Sequence, residues 1–557
     1  MKTRTVALTI SLLITLQLAC ERPERVEEPV AEKPAVEPVD LAAEIGDIGV
    51  VHLQTSCNEE AQGNFEIGLG LLHHMWYERA RQGFEQAIWA DPECAMAYWG
   101  LAMTYYTPLW YPPTDEAVRT GTRAVERAQQ LEATEREQAF IDAVAALYED
   151  YDRANHLEHA EAFRDGWRQA HERDPDDIEA ASFYALSILA TAPVVTEDYE
   201  EQRQAGQLME WVLEQEPRHP AGHHYLLHAY DFPPLAEEAE EVARAYADIA
   251  PAVPHALHMP AHIFVRLGQW EDVVAWDTRA AEVAEEHRVN GFTSMHFYHS
   301  LDYLAHAYLQ QGLDDQAQQT RQWFKRHDNP EPLLGTAYPA VAIPARIAVE
   351  QRNWEAAAEL QPLHADQFPW ERWPVAQVVH HTVRAMGAVH TGDLEAGEAE
   401  FRRVHELNEL VAAEDDPHWA PHARAYRDLV EAHLIWARGE TEQAITRMEE
   451  VAEFQDSFDK HPTMPGRIFE AGEYLGRMLY ADGQYTRALQ AFEHALEMTP
   501  DRYHLVFGAA ISAREAEQPQ VAARYFSELL QLADPDRVDR PEVEEARQFF
   551  EESRPGP

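Results

Sequence analysis

Lysine is almost missing from this chain, which places it at only four of 557 positions: Lys2, Lys33, Lys325 and Lys460. Basic residues number 45 against 98 acidic ones, for a formal charge of −53, and no basic stripe interrupts the acidic surplus. Nucleic acid is excluded as a partner, because phosphate contacts need a net basic face. The surplus reads as solvated surface that aids solubility. Several short catalytic signatures are missing too. The segment HALHMPAH lacks the glutamate of HExxH, and there is no Gly-rich phosphate loop, GxSxG elbow or CxxCH haem site. An activity cannot be read from a short motif here.

What is present is a folding composition: 45% hydrophobic residues and 10% aromatics exclude a disordered chain. A chain of 557 residues is either multidomain or a repeat array.

The N-terminus reads as an export signal over 1–20. Lys2 and Arg4 precede an uncharged apolar run from Thr5 to Ala19, too short for a membrane span. The run ends in Leu16-Gln17-Leu18-Ala19-Cys20, which resembles the lipobox of bacterial lipoproteins and makes Cys20 the expected lipidation site. Gln17 stands where leucine is usual, so cleavage by an ordinary signal peptidase stays open. The chain is thus expected to be lipid-anchored in the bacterial cell envelope, or secreted if it is not lipidated. Residues 21–45, rich in Glu, Pro and Val without an apolar period, read as a solvated tether. With Cys20 set aside, Cys57 and Cys94 are expected to pair in an oxidising compartment. Such a bridge contributes roughly 3 to 4 kcal/mol on the loop-entropy account.

A helical repeat frame runs along the rest of the chain. Gly476, Gly483, Tyr485, Ala488, Phe492, Ala495 and Pro500 fill the small, aromatic and turn positions of one repeat. Ala522 and Phe526 continue into the next. Gly68, Ala80, Phe84, Ala87 and Pro92 fill the corresponding positions near the start, and weaker matches lie between. The spacing is irregular from Pro92 to Phe163, where TPLWYPPTDE interrupts. On these residues the chain resembles tetratricopeptide-repeat proteins. The segments SCNEEAQGNFEIGLGLLHHMWYERA, DPECAMAYWGLAM, HHYLLHAYD and HMPAHIF look like a group of exported bacterial repeat proteins to which no activity is assigned. The resemblance implies an all-α superhelix, an α-solenoid of roughly eleven helical pairs over 46–545, with 546–557 as a tail. It implies a fold and not a chemistry.

Within that frame three consecutive repeats carry histidine at matching places. The groove-facing stripe of the first helix uses residues spaced i, i+3 and i+7. These are Ala221, His224 and His228; then His255, His258 and His262; then His299, Asp302 and His306, the last set after an insertion. Imidazoles from neighbouring helices, about 8 to 10 Å apart, converge on a common centre. Neutral imidazoles with one carboxylate and no thiolate select a divalent transition ion such as zinc, iron or copper over calcium or magnesium. Eight candidate ligands exceed one tetrahedral site, so either two metals bind or some of these residues orient the others. His299, Asp302 and His306 also offer a two-histidine, one-carboxylate set on one helix.

Pro260 is expected to kink the helix that carries His258 and His262. Asp231 and Arg266 lie on or beside the groove as supporting or ligand-binding groups, and Arg346 is placed to clamp an anionic ligand. Met259 lies off the stripe. His73, His74, His223, His296, His380 and His381 fall off it or lack partners in adjacent repeats, and read as packing or surface residues. The same face permits a second reading, a scaffold whose groove binds a protein or peptide partner.

Overall fold

The computed structural model describes residues 40–51, 53–110, 112–193, 198–289, 291–413 and 418–552. The expected signal, Cys20 and nearly all of the tether lie outside them. The described chain is α-helical from Leu41–Ile45 to Pro541–Glu552, and consecutive helices pack against one another. A two-stranded hairpin of Arg288–Val289 and Phe292–Thr293 is the only sheet among the described residues.

Local chemistry starts and stops these helices. Thr134 and Glu137 exchange side-chain and backbone bonds in a capping box ahead of Glu135–Tyr148. Asn58 caps Glu59–His73 through the Ala61 amide. Pro220 and Pro254 open helices at the first turn, where a missing N–H costs nothing. The irregular stretch after Pro92 is filled by Asp115–Gln129 and Glu135–Tyr148.

One packing device recurs at both ends. Phe84 wedges between Gly68 and Gly100: a Cβ at those glycines would lie 3.0 and 2.2 Å from its ring. Phe492 does the same between Gly476 and Gly508, at 2.7 and 2.4 Å. Both phenylalanines hold the same frame position, so the residue spacing is met by matching helix contacts.

Two extensive apolar clusters form the core, one over the first half of the chain and one over the second. They meet along the Met295–Gln310 helix, whose Tyr303 and Ala307 join the first while Leu301 and Leu304 join the second. Distant segments also close on this middle region. Trp270 Nε1 donates to the Asp501 carbonyl at 2.8 Å, and Arg502 pairs with Glu350 at 3.1 Å. On the other side the Val50 amide donates to the Arg218 carbonyl, and the Tyr246 hydroxyl bonds His74 at 2.8 Å.

Cys57 and Cys94 form a disulfide, as expected. Two boundaries shift. The tether stops before Leu41, because Leu41 and Ile45 are buried, and the last helix runs to Glu552, with Ala546 in the core. Apolar side chains at both places find partners, which a solvated tail does not. Among the described residues no helix is long and apolar enough to cross a membrane.

The wedge yields a stability test. Gly508→Ala forces its new methyl into the Phe492 ring and should lower unfolding free energy by about 1 to 3 kcal/mol in denaturant titrations. No measurable loss would show that the helix contact is looser than described.

Candidate metal centre

The Pro220–Tyr230 helix sets His224 and His228 one turn apart on the same face. The His224 Nδ1 donates to the His73 carbonyl at 2.6 Å, which turns its Nε2 toward His228 Nε2 at 3.1 Å. The next helical segment repeats the arrangement. As expected of Pro260, the helix is broken, into Pro254–His258 and Pro260–Arg266, and the His262 amide reaches back only three residues, to Met259. Across that break His258 and His262 still bring their Nε2 atoms to 3.0 Å. His258 Nδ1 lies 2.6 Å from Asp277 Oδ1, and His262 Nδ1 donates to Asp231 Oδ2 at 2.8 Å. His299, from the Met295–Gln310 helix, stands 4.4 Å from His258 between ring centroids.

Two three-histidine sets result, His224 with His228 and His255, and His258 with His262 and His299. Within each set the three ligand atoms lie within 4.8 Å of one another. The sets adjoin, with His228 and His262 ring centroids 6.2 Å apart. Two of the rings carry their proton on the outside, and His228 and His258 donate to them through Nε2. A carbonyl only accepts, so His224 must carry its proton on Nδ1, and ionised Asp231 imposes the same on His262. Both present bare Nε2 lone pairs inward. Anchoring a ligand ring through its far nitrogen to a carboxylate or carbonyl is how metal-binding imidazoles are oriented. Tyr303 adds one hydroxyl proton near His262 Nε2 at 3.2 Å, but the same hydroxyl faces the carbonyls of Pro462 and Met464 at 3.1 and 3.2 Å.

Burial keeps the imidazoles neutral. It pushes His258, His262 and His228 down to about 3, and His224, His255 and His299 well below the usual histidine range. Burial also pushes Asp231 up, but Lys460 at 3.0 Å and Arg266 at 2.7 Å outweigh it and hold Asp231 ionised. Asp277 has no cation beside it, so burial raises its carboxyl well above the ordinary range, with Asp302 adding to the effect. Neither ring nitrogen of His255 has a hydrogen-bond partner although the residue is 1% exposed, and the Nδ1 atoms of His299 and His296 are likewise unpartnered. Four buried nitrogens without partners in one small volume are uncommon.

The sequence-predicted residues separate into two groups. His224, His228, His255, His258, His262 and His299 converge. Asp302 does not: it is buried against Arg346, at 2.8 and 3.3 Å, and each satisfies the other's charge. Arg346 is therefore not available to clamp an anionic ligand. His306 also departs, toward the Trp270 ring and Gln310. The expected set of His299, Asp302 and His306 fails on length, since seven residues of helix separate the two histidines by about 10 Å along the axis. Asp231 supports His262 as expected, and Arg266 binds Asp231 and Asp459 rather than a ligand.

Four contributors were outside the frame. Asp277 comes from the Trp270–Glu286 helix, the second of its pair. Tyr303, Lys460 and the His73 carbonyl come from off-stripe or distant positions. The histidine face is also not an open groove. Asp459 and Lys460 bind Arg266 and Asp231 across it, and Tyr303 meets the chain at Pro462 and Met464.

No protein-family model matches this chain, and no curated protein matches it.

The neutral buried imidazoles imply a pH dependence whose sign is fixed. Histidines whose folded pKa lies below the unfolded value take up protons on unfolding, so stability is full above about pH 6.5 and falls on acidification toward about 3. Depressed Asp231 acts in the same direction at lower pH. Unfolding of metal-free protein from pH 8 to 4 should show steep loss with uptake of more than one proton; a flat profile would contradict the neutral cluster.

Proposed function

We propose that this chain is a metal-binding protein whose six converging histidines hold a divalent transition ion. The observation that carries the reading is the orientation of the rings: His224 and His262 are locked by outward Nδ1 bonds with Nε2 facing inward. Each three-histidine set supplies the ligand number of a catalytic or transport site, leaving a position for water or another donor. An imidazole set without thiolate suits zinc, copper or iron. Metal–nitrogen bonds of about 2.0 to 2.1 Å at near-tetrahedral angles need nitrogens roughly 3.3 Å apart, close to the spacing already present. Bound there, the ion supplies a Lewis-acid or redox centre. The chain's own part is to orient the rings through Asp231, Asp277 and the His73 carbonyl.

The wider setting follows the sequence. We take the chain as an exported tetratricopeptide-repeat protein of the cell envelope, anchored through Cys20. The matched wedges at Phe84 and Phe492 support the repeat reading, and the Cys57–Cys94 disulfide suits an oxidising compartment. No observation favours a peptide in the groove, since His224, His255, His258, His262 and His299 are all buried.

Elemental analysis of the mature protein, prepared without a histidine tag, tests the reading. At least one equivalent of zinc, copper or iron is expected per chain, falling well below one in His258→Ala/His262→Ala. Substoichiometric metal in the wild type, unchanged in the double variant, would sink it.

A further inference from the structure

A third cluster lies apart from the six histidines. His73 Nε2 is 2.8 Å from Glu179 Oε2, and His219 Nε2 is 3.1 Å from Glu179 Oε1. The three side chains can each place one ligand atom within 4.8 Å of the others. They come from three elements: the end of Glu59–His73, the first turn of Ile178–Thr191, and the residue before Pro220–Tyr230. All three are buried, at 0%, 1% and 1% exposure.

This cluster meets a cavity of about 310 Å³. Glu179 and His219 line it together with Asp174, Asp176, Asp177, Glu216 and Arg136. Arg136 is the one guanidinium there, and it is spent on Asp177 at 2.6 and 2.8 Å. Apart from Ile178 and His219 the remaining lining is acidic, which concentrates cations. The Nδ1 of His219 has no hydrogen-bond partner.

We propose that His73, Glu179 and His219 form a separate divalent transition-metal site at the floor of this acidic cavity. Two imidazoles and one carboxylate make a mixed nitrogen and oxygen donor set, with the cavity side left for water. His73 can present Nε2 to a cation without losing its other partner. Its Nδ1 lies 3.0 Å from the Tyr225 hydroxyl, which donates to a bare nitrogen and accepts from a protonated one. Both imidazoles bond the carboxylate, so this hydrogen-bonded set is the arrangement that a cation would replace. The His73 carbonyl that anchors His224 joins this site to the six-histidine centre through a single residue.

Crystals of the full chain grown with Co²⁺ test the proposal by anomalous scattering. A peak is expected about 2.0 to 2.2 Å from ligand atoms of His73, Glu179 and His219. Co²⁺ titration of chelator-stripped protein should then show Glu179→Gln losing one bound ion per chain while ions at His258 and His262 remain. If Glu179→Gln does not fold, the wild-type peak decides alone. Cobalt at the six histidines with none at Glu179 overturns this site and leaves the proposed function standing. Cobalt at neither place overturns both.

Discussion

Asp231 is the charge on which the candidate centre is built. Its Oδ1 accepts from Arg266 and its Oδ2 from His262 and Lys460, while its carbonyl takes a second Arg266 bond. A buried carboxylate offsets its desolvation only when both oxygens are satisfied, and here both are. The same atoms tie three parts of the chain together: the end of Pro220–Tyr230, the Pro260–Arg266 helix and the segment at Asp459 and Lys460. Fixing the tautomer of His262 is a consequence of that join, so the chemistry of the site and the closure over it share one interaction.

The charges around the histidines sort into pairs, with one exception. Asp231 and Asp459 answer Arg266 and Lys460, and Asp302 answers Arg346. Lys460 is one of only four lysines, and burial together with neighbouring Arg266 brings it down to about 8, so it remains a cation at neutral pH. Asp277 is left without a cationic partner. Its Oδ1 faces His258 Nδ1 at 2.6 Å, and Ser300 lies beside the carboxyl. A cation on the far side of the His258 ring would favour the ionised carboxylate, acting through the imidazole. The unpaired acid and the inward nitrogens therefore point to the same place.

The packing of consecutive helices was legible because it rests on residue size at fixed spacing. Gly68 and Phe84, or Gly476 and Phe492, meet wherever two such helices pack, whatever the distant chain does. Six of the eight candidate residues come together for the same reason, since stripes on adjacent helices must face each other. The frame carries no information about charge pairing, and that is where it misled. Asp302 fits the stripe but faces Arg346 on a neighbouring helix, and a buried pair of opposite charges prevails over a role as ligand. Asp277, on a second helix, and Lys460, far along the chain, reach the site only through tertiary closure. No local period marks them. His73 and His296 fall off the stripe or lack partners in adjacent repeats by the frame, yet both have close neighbours: Glu179 and His219 for one, His255 for the other.

The unpartnered nitrogens weigh the metal reading against ordinary packing. Each buried polar atom left without a partner costs about 1 to 3 kcal/mol, and His255 alone has two. Packing can be served by leucine or phenylalanine at no such cost, so imidazoles serving only to fill space would be replaceable without loss. A ligated ion satisfies several nitrogens at once, with apparent binding free energies for structural zinc of about 10 to 16 kcal/mol. That scale exceeds the penalty of the orphaned atoms. Hydrogen bonding explains His306, which keeps Gln310, and His74, which keeps Tyr246 and the Ile48 carbonyl. It leaves His255 unexplained, and His255 is the residue that lies between His224 and His258, where the two histidine sets meet.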